Sequence, residues 1–364
     1  MRIVQVLTQM EAGGAQRVAL LLTEALRNRG YEVEVWFLYV KRPIYMNFPG
    51  IRVLLDHQPS KLEYAKIASK LWQLLHSQKP DILITHGHSA NPMGQFLARL
   101  SGVHARVAVQ HIPAFAFPKI AGLIDWVLGT TNFYSANVAV SQAVLDATTK
   151  YLTPYKKKRI KIYNGIPQLK SETSPQEVRR RWALPENAPL LLNIGRLARQ
   201  KNQSILLEVL LHLPEAHLLL VGEGELRESL QKMVTELRLE ERVHFLGELK
   251  FQDVSALLST ADVFVFPSLY EAMPMSIIEA MNLGLPIVAS DIPPLRESIG
   301  DAGIFVNSGS VEEIAKAVRQ ILDSSELANR LRMLSLERAR LFSLENMVDS
   351  YEALFKSISQ PQAS

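Results

Sequence analysis

The chain has no cysteine in its 364 residues, so it can form no disulfide, zinc-thiolate site or thiol nucleophile. It also lacks any run of eighteen apolar residues, which excludes a membrane-spanning helix of ordinary length. The N-terminal stretch MRIVQVLTQME meets charge by residue 11, too early for the apolar region of a signal peptide. A cytoplasmic location is therefore expected. Charge is unevenly divided between the halves. Residues 1–165 hold 20 Lys+Arg against 9 Asp+Glu, or +11, and the remainder holds 20 against 27, or −7. A basic half suits an anionic partner such as lipid, a phosphorylated substrate or nucleic acid, and its sign alone does not choose among them.

What is present is strand and helix in alternation. Apolar runs at IVQVLT (3–8), VEVWFL (33–38), DILITH (81–86), ARVAVQ (105–110) and NVAVS (137–141) predict buried parallel strands, with helices such as Ala15 to Gly30 between them. After the proline-rich stretch PQLKSETSPQEVRRRWALPENAP the pattern restarts. The second set comprises PLLLNIG (189–195), HLLLVG (217–222), RVHFLG (242–247), ADVFVFPS (261–268), LPIVAS (285–290) and GIFVN (303–307). Length and restart predict two α/β domains, residues 1–164 and 165–364, facing across a cleft. The last amphipathic helix, about 344–360, is expected to return to the N-terminal domain. Ligands of such sheets bind beyond the carboxyl ends of the strands, so candidate residues are sought there.

In the first half, MEAGGAQR places Gly13 and Gly14 before a helix, where paired glycines allow unusual dihedrals and close approach of an anion. The spacing is not GxGxxG. His86, His88 and His111 fall at strand ends, where a histidine can donate to a phosphate or sugar oxygen or act as acid or base. In the second half, Arg196 and Lys201 in NIGRLARQKNQS suit a diphosphate. VGEGELRE offers a turn at Gly222, Glu223 and Gly224, and Leu246 with Gly247 lies in the same layer. In EAMPMSIIE, Ser276 and Glu279 have the spacing of a capping box, which would account for Glu279, while the amides of Met275 and Ser276 would leave the helix start open to an anion. Glu271 lies outside that helix and is expected to face the cleft and bond hydroxyls.

Taken together, GGAQR, GRLARQKNQ, VGEGELR, FLG and the E-x7-E element followed by AMNLGLPIVAS resemble the GT-B fold retaining glycosyltransferases of family GT4. Each stretch is weak alone, but their order and spacing are specific. The resemblance covers nearly the whole chain and is weaker in the first half. It implies two Rossmann-like domains, a UDP- or GDP-sugar held by the second, and a saccharide or lipid-linked acceptor held by the first. Arg196 and Lys201, with Gly14 and the amides of Met275 and Ser276, would hold the donor diphosphate. Glu279 would hold the ribose, Glu271 and His111 would act at the transferred sugar, and Glu223, Gly224, Leu226 and Leu246 would lie near the base.

The family pattern often has glycine at the positions of Ala272 and Pro274. No cofactor, metal or nucleic acid is implied, and no D-x-D element occurs. A sugar-nucleotide epimerase of the same fold and an inactive partner subunit are the alternatives. The helix read at 61–79, with Lys61, Lys66, Lys70 and Trp72, and the stretch HIPAFAFPKIAGLIDWVLG suit peripheral contact with the inner face of an anionic membrane.

Overall fold

A computed structural model describes residues 1–87, 89–114 and 119–359. His88, Phe115 and Phe117 therefore lie outside the described residues. The chain divides into two compact units, Met1–Ile166 with the segment beginning at Ser343, and Pro167–Phe342.

The first unit is built on one sheet whose strands are β1 (Arg2–Met10), β2 (Glu32–Val40), β3 (Ile51–Val53), β4 (Ile82–His86), β5 (Ala105–Gln110), β6 (Ala136–Ala139) and β7 (Arg159–Lys161). Their order is β3-β2-β1-β4-β5-β6-β7, and every pairing is parallel. β4 and β5 are buried along their whole length, as mainly apolar strands with helices on both faces should be, and the polar Thr85, His86, Arg106 and Gln110 are buried with them. The sequence gives no expectation for β3 and β7. They are three-residue strands at the two ends of the sheet, IRV and RIK, too short and too charged to show a period.

The helix Gly14–Asn28 buries Val18, Ala19, Leu22 and Leu26. Gly13 before it is extended (φ −171°, ψ 156°), and neither glycine has positive φ. The expectation of unusual dihedrals at this pair is therefore corrected: any residue can adopt this backbone. The helix Leu344–Ser359 lies in the first unit, where Arg29 grips Asp349 at 2.6 Å and Glu352 at 2.7 Å. Gly165 is required at the joint, because a Cβ there would lie 2.3 Å from the carbonyl of Ser343.

The second unit repeats the scheme with β8 (Leu190–Ile194), β9 (His217–Val221), β10 (Val243–Gly247), β11 (Val263–Phe266), β12 (Ile287–Ser290) and β13 (Gly303–Val306). Their order is β10-β9-β8-β11-β12-β13. Leu191, Leu218, Leu220, Val263 and Val265 pack against Leu206, Leu210, Ile314 and Val318 to form its core. Both sheets thus have the Rossmann order, which reverses direction between β1 and β4 in one unit and between β8 and β11 in the other. Among the described residues no helix is long and apolar enough to cross a membrane.

Candidate functional site

The reversal point of the second sheet gathers the chemistry. β8 and β11 are neighbours, so the loops that leave their carboxyl ends lie side by side. After β8 the chain passes Gly195 and Arg196, makes a 3-10 turn at Arg199–Lys201 and reverses at Asn202 (φ 54°). Asparagine tolerates this left-handed region, and its side-chain amide donates to the carbonyl of Ser308 at 2.8 Å. The two loops are stitched together by the Leu269 amide on the Gln200 carbonyl (2.8 Å) and by the Gln200 side chain on the Tyr270 carbonyl (2.7 Å).

Lys201 is thereby aimed at Glu271. Nζ meets Oε1 at 2.5 Å, and it also sits 4.6 Å from the centre of the Phe266 ring. The side chains are 14% and 7% exposed, so the pair is well shielded from water. The expectation of a free Glu271 is therefore corrected. Its carboxylate is committed to Lys201, because the loop after β11 brings it beneath the turn that carries the lysine. Arg196, by contrast, is exposed, and its guanidinium makes no ion pair or hydrogen bond among the described residues. One cation is thus held in place and the other is available.

The capping box expected at Ser276 and Glu279 is also overturned. The helix runs Met275–Asn282 with Pro274 as its N-cap, and no side chain caps it. Proline has no side-chain acceptor, and a helix that starts at Met275 places Ser276 at its second position, inside the first turn. The amides of Met275 and Ser276 therefore point out of the start of the helix, Pro274 itself having none. Glu279 lies a turn further in and is buried at 2% exposure, so capping does not account for it.

Beside this loop pair the ends of β9 and β10 are joined to the segment after β8. Gly222 (φ 131°) lies so close to Gly195 that a Cβ would meet its carbonyl oxygen at 2.1 Å, and Gly224 approaches the Leu197 carbonyl equally closely. The turn thus uses its glycines for backbone contact. Glu223 pairs with Arg227, Leu226 packs on the core, and Leu246 sits at the irregularity that ends β10.

Sequence reading missed Gln203, Asn193 and Ser268. All three are fully or almost fully buried under these loops, where Gln203 donates to the Arg196 carbonyl at 2.9 Å. The hydroxyl of Ser268 has no hydrogen-bond partner among the described residues. The available signal was a polar residue within or directly after an apolar strand, as in LLLNI.

In the first unit, His86 and His111 end β4 and follow β5. The Gln5 amide donates to the Ala19 carbonyl at 2.9 Å and to the Thr23 hydroxyl at 2.6 Å, which fixes its orientation. Its oxygen must then accept from His86 Nε2 at 2.8 Å. Neutral His86 is left with a lone pair on Nδ1, which accepts from His111 Nε2 at 3.0 Å. The chain of bonds therefore assigns the tautomer of His111 and leaves its Nδ1 as an acceptor. Gly14 opens the helix on the next loop, and the first-turn amides from Gly14 to Gln16 precede its first intrahelical donor, Arg17.

Burial pushes His111 down to about 4 and His86 well below the ordinary histidine value, the latter helped by the neighbouring ring. Between the unfolded value near 6.5 and about 4, the unfolded chain binds protons that the native state refuses. Stability is therefore lost as pH falls through that window, on the order of 3 kcal/mol for His111 alone. Buried Asp125, whose carboxyl is raised by desolvation, works in the opposite direction. Trp36, Trp72 and Trp126 lie in the first unit and Trp182 in the second, so tryptophan fluorescence reports mainly on the first. Urea midpoints at pH 7 and pH 5 should differ clearly in the wild type and by less in His111→Gln, where buried His86 keeps its own share of the loss. An equal slope in both would remove the histidine explanation.

Residues 12–168 match the family model described as Glycosyltransferase Family 4, and residues 174–334 match that described as Glycosyl transferases group 1. The chain is 25% identical over 370 residues to the UDP-Gal:alpha-D-GlcNAc-diphosphoundecaprenol alpha-1,3-galactosyltransferase of Escherichia coli, covering 94% of this chain and 93% of that protein. It is 34% identical over 176 residues to the lipopolysaccharide core biosynthesis glycosyltransferase LpsE of Rhizobium meliloti, covering 48% of this chain and about half, 51%, of that relative. Anabaena HepE in complex with UDP superposes with a TM-score of 0.84 at 21% identity, over 98% of this chain and 100% of that one.

The two Rossmann-ordered parallel sheets have the GT-B fold, and the two matching family models make the chain a glycosyltransferase. Within that class the chain belongs to glycosyltransferase family 4.

Proposed function

We propose that this enzyme is a retaining, metal-independent transferase that moves a hexose from a nucleoside-diphosphate sugar to a saccharide or lipid-linked acceptor in the synthesis of a cell-surface polysaccharide or glycolipid. The observation that carries the reading is the shielded Lys201–Glu271 pair beside unpaired Arg196 and the open helix start at Met275 and Ser276. Transfer breaks the bond from the anomeric carbon to the β-phosphate oxygen, and negative charge grows on the departing diphosphate. Arg196, Lys201 and the two amides supply fixed positive charge where that charge develops.

Glu279, buried one turn inside the helix that starts at Met275, takes the ribose hydroxyls, and Glu271 meets the donor sugar while steering Lys201. The turn from Glu223 to Leu226, with Leu246, lies along the base, and Gly14 contributes to the diphosphate. His111 accepts from a sugar hydroxyl through Nδ1, the lone pair left by its bond to His86. With the Glu271 carboxylate committed to Lys201, the acceptor oxygen attacks on the face the diphosphate leaves. Its proton passes to the departing phosphate oxygen. The acceptor falls to the basic first unit, at the cytoplasmic face of the membrane where the acceptor is lipid-linked.

Even without its acceptor the enzyme should hydrolyse a matching donor slowly. Proton NMR of the first sugar released, before mutarotation, should show the donor's anomeric configuration. The opposite anomer would overturn retention.

A further inference from the structure

The helix Lys119–Thr130 is inside out. Its one carboxylate, Asp125, is 2% exposed and accepts from the hydroxyls of Tyr134 (2.8 Å) and Tyr155 (2.9 Å) and from the Gln110 side chain (3.0 Å). Its large aliphatics face the other way: Ile120 is 76% exposed, Leu123 59%, Ile124 42% and Val127 44%. They recur at i, i+3, i+4 and i+7 and so form one stripe, the arrangement a surface helix normally buries. The bonds to Asp125 prevent the helix from rolling the stripe inward, because rolling would strand a buried carboxylate and two tyrosine hydroxyls. Gly129 seats the helix closely, since a Cβ there would meet the Tyr155 ring at 2.2 Å.

Cations flank the stripe. Lys119 opens the helix, and the short helix Thr153–Lys156, whose Tyr155 bonds Asp125, brings exposed Leu152, Lys156 and Lys157 beside it, with Lys150 just before. None of these four lysines makes an ion pair among the described residues. Residues 112–162 hold seven Lys and Arg against two Asp, one of which is the buried Asp125. The helix Glu63–Gln78 differs: it turns Ile67, Leu71 and Leu75 into the core, as an ordinary surface helix does.

We infer that the stripe Ile120, Leu123, Ile124 and Val127, with Leu152 and the lysines around it, docks the protein on the surface of an anionic bilayer. Aliphatic side chains on one face and unpaired lysines at its margin match the acyl boundary and the lipid phosphates of such a surface. A second copy fits less well, because a two-fold contact through this face would bring two lysine clusters together. The inference deepens the lipid-linked acceptor reading above by giving the surface that would meet the lipid.

The test is co-sedimentation of the full chain with vesicles of phosphatidylcholine alone or with about 30% phosphatidylglycerol, at about 0.05 M and about 0.5 M salt. The wild type should prefer the anionic vesicles by at least about tenfold at low salt. Leu123→Ser with Val127→Ser should weaken binding about tenfold at both salts, and Lys156→Glu with Lys157→Glu at low salt only. Lys61→Glu with Lys66→Glu, equal in charge change but on the other helix, should alter it about twofold or less. These residues are all exposed or outside the core, and circular dichroism checks that each variant folds.

Absence of wild-type binding, or equal loss in the control variant, would overturn the inference. So would light scattering that shows a dimer dispersed by the Leu123 and Val127 changes. Thermal shifts with UDP and GDP on the same samples separate the two readings: intact nucleotide binding without vesicle binding sinks only the docking surface, and the reverse sinks only the transferase reading.

Discussion

Lys201→Ala should lower kcat/KM for transfer by about a thousandfold. Removing one preorganised donor from a developing oxyanion typically costs about 10²–10³ in rate. Here the lost group is a full cation within a shielded pair. The same change leaves Glu271, 9% exposed, without its partner, so stability should fall as well, by up to about 3 kcal/mol. Nucleoside-diphosphate binding should weaken together with transfer. Lys201→Arg should recover part of the binding and little of the rate, because a planar guanidinium cannot occupy the point that Nζ holds beside Glu271 and over the Phe266 ring. Steady-state kinetics and donor titration on the two variants check this, and a Lys201→Ala enzyme within tenfold of wild type would remove Lys201 from the chemistry.

Glu271→Gln should separate binding from turnover. Glutamine keeps the size of the side chain and still offers an oxygen to Lys201 Nζ, but it no longer neutralises the cation. A diphosphate should therefore bind as well as before or more tightly, because the lysine charge becomes available to it. Transfer should nevertheless fall by about a hundredfold, since Glu271 also serves the sugar in the reading above. Two outcomes would count against the account: a parallel loss of nucleotide affinity, which would make Glu271 only a prop for the loop, and unchanged transfer, which would make it dispensable.

These predictions turn on what the sequence made legible and what it hid. Continuous apolar runs such as ILIT and VFVF announced strands buried on both faces, and their alternation with helices announced two parallel sheets. IRV and RIK did not, because a three-residue edge strand carries no period. The positions of Arg196, Lys201 and Glu271 were likewise legible, as strand-end residues, but their pairing was not. Seventy positions separate Lys201 from Glu271, and only the adjacency of β8 and β11 brings them together.

The S-x-x-E spacing shows why local reading misleads. In SPQE, proline follows the serine, so Ser174 stays outside the helix as N-cap and the reciprocal bonds with Glu177 form at 3.1 and 3.3 Å. In PMSIIE, proline comes two residues earlier and becomes the N-cap itself, which draws Ser276 into the helix and leaves Glu279 buried without a capping role. The place of the proline, and not the spacing of serine and glutamate, decides the outcome. The first unit offers a similar lesson. Gln5, a polar residue inside the strand β1, fixes the histidine pair, and the stretch around Ile120, read from the sequence as suited to a membrane surface, is held outward by the buried Asp125, a role no local pattern marks.

The central claim is that the loop pair after β8 and β11 holds a nucleoside diphosphate. Thermal unfolding of the wild type and of Lys201→Ala with UDP, GDP and their sugars tests it most directly, since a ligand at one hundred times its dissociation constant stabilises the native state by about 2.7 kcal/mol. At least one nucleotide should raise the wild-type midpoint by several degrees, and most of that rise should vanish in Lys201→Ala. A wild type unmoved by every nucleotide in the panel, or a variant shifted as far as the wild type, would contradict the account.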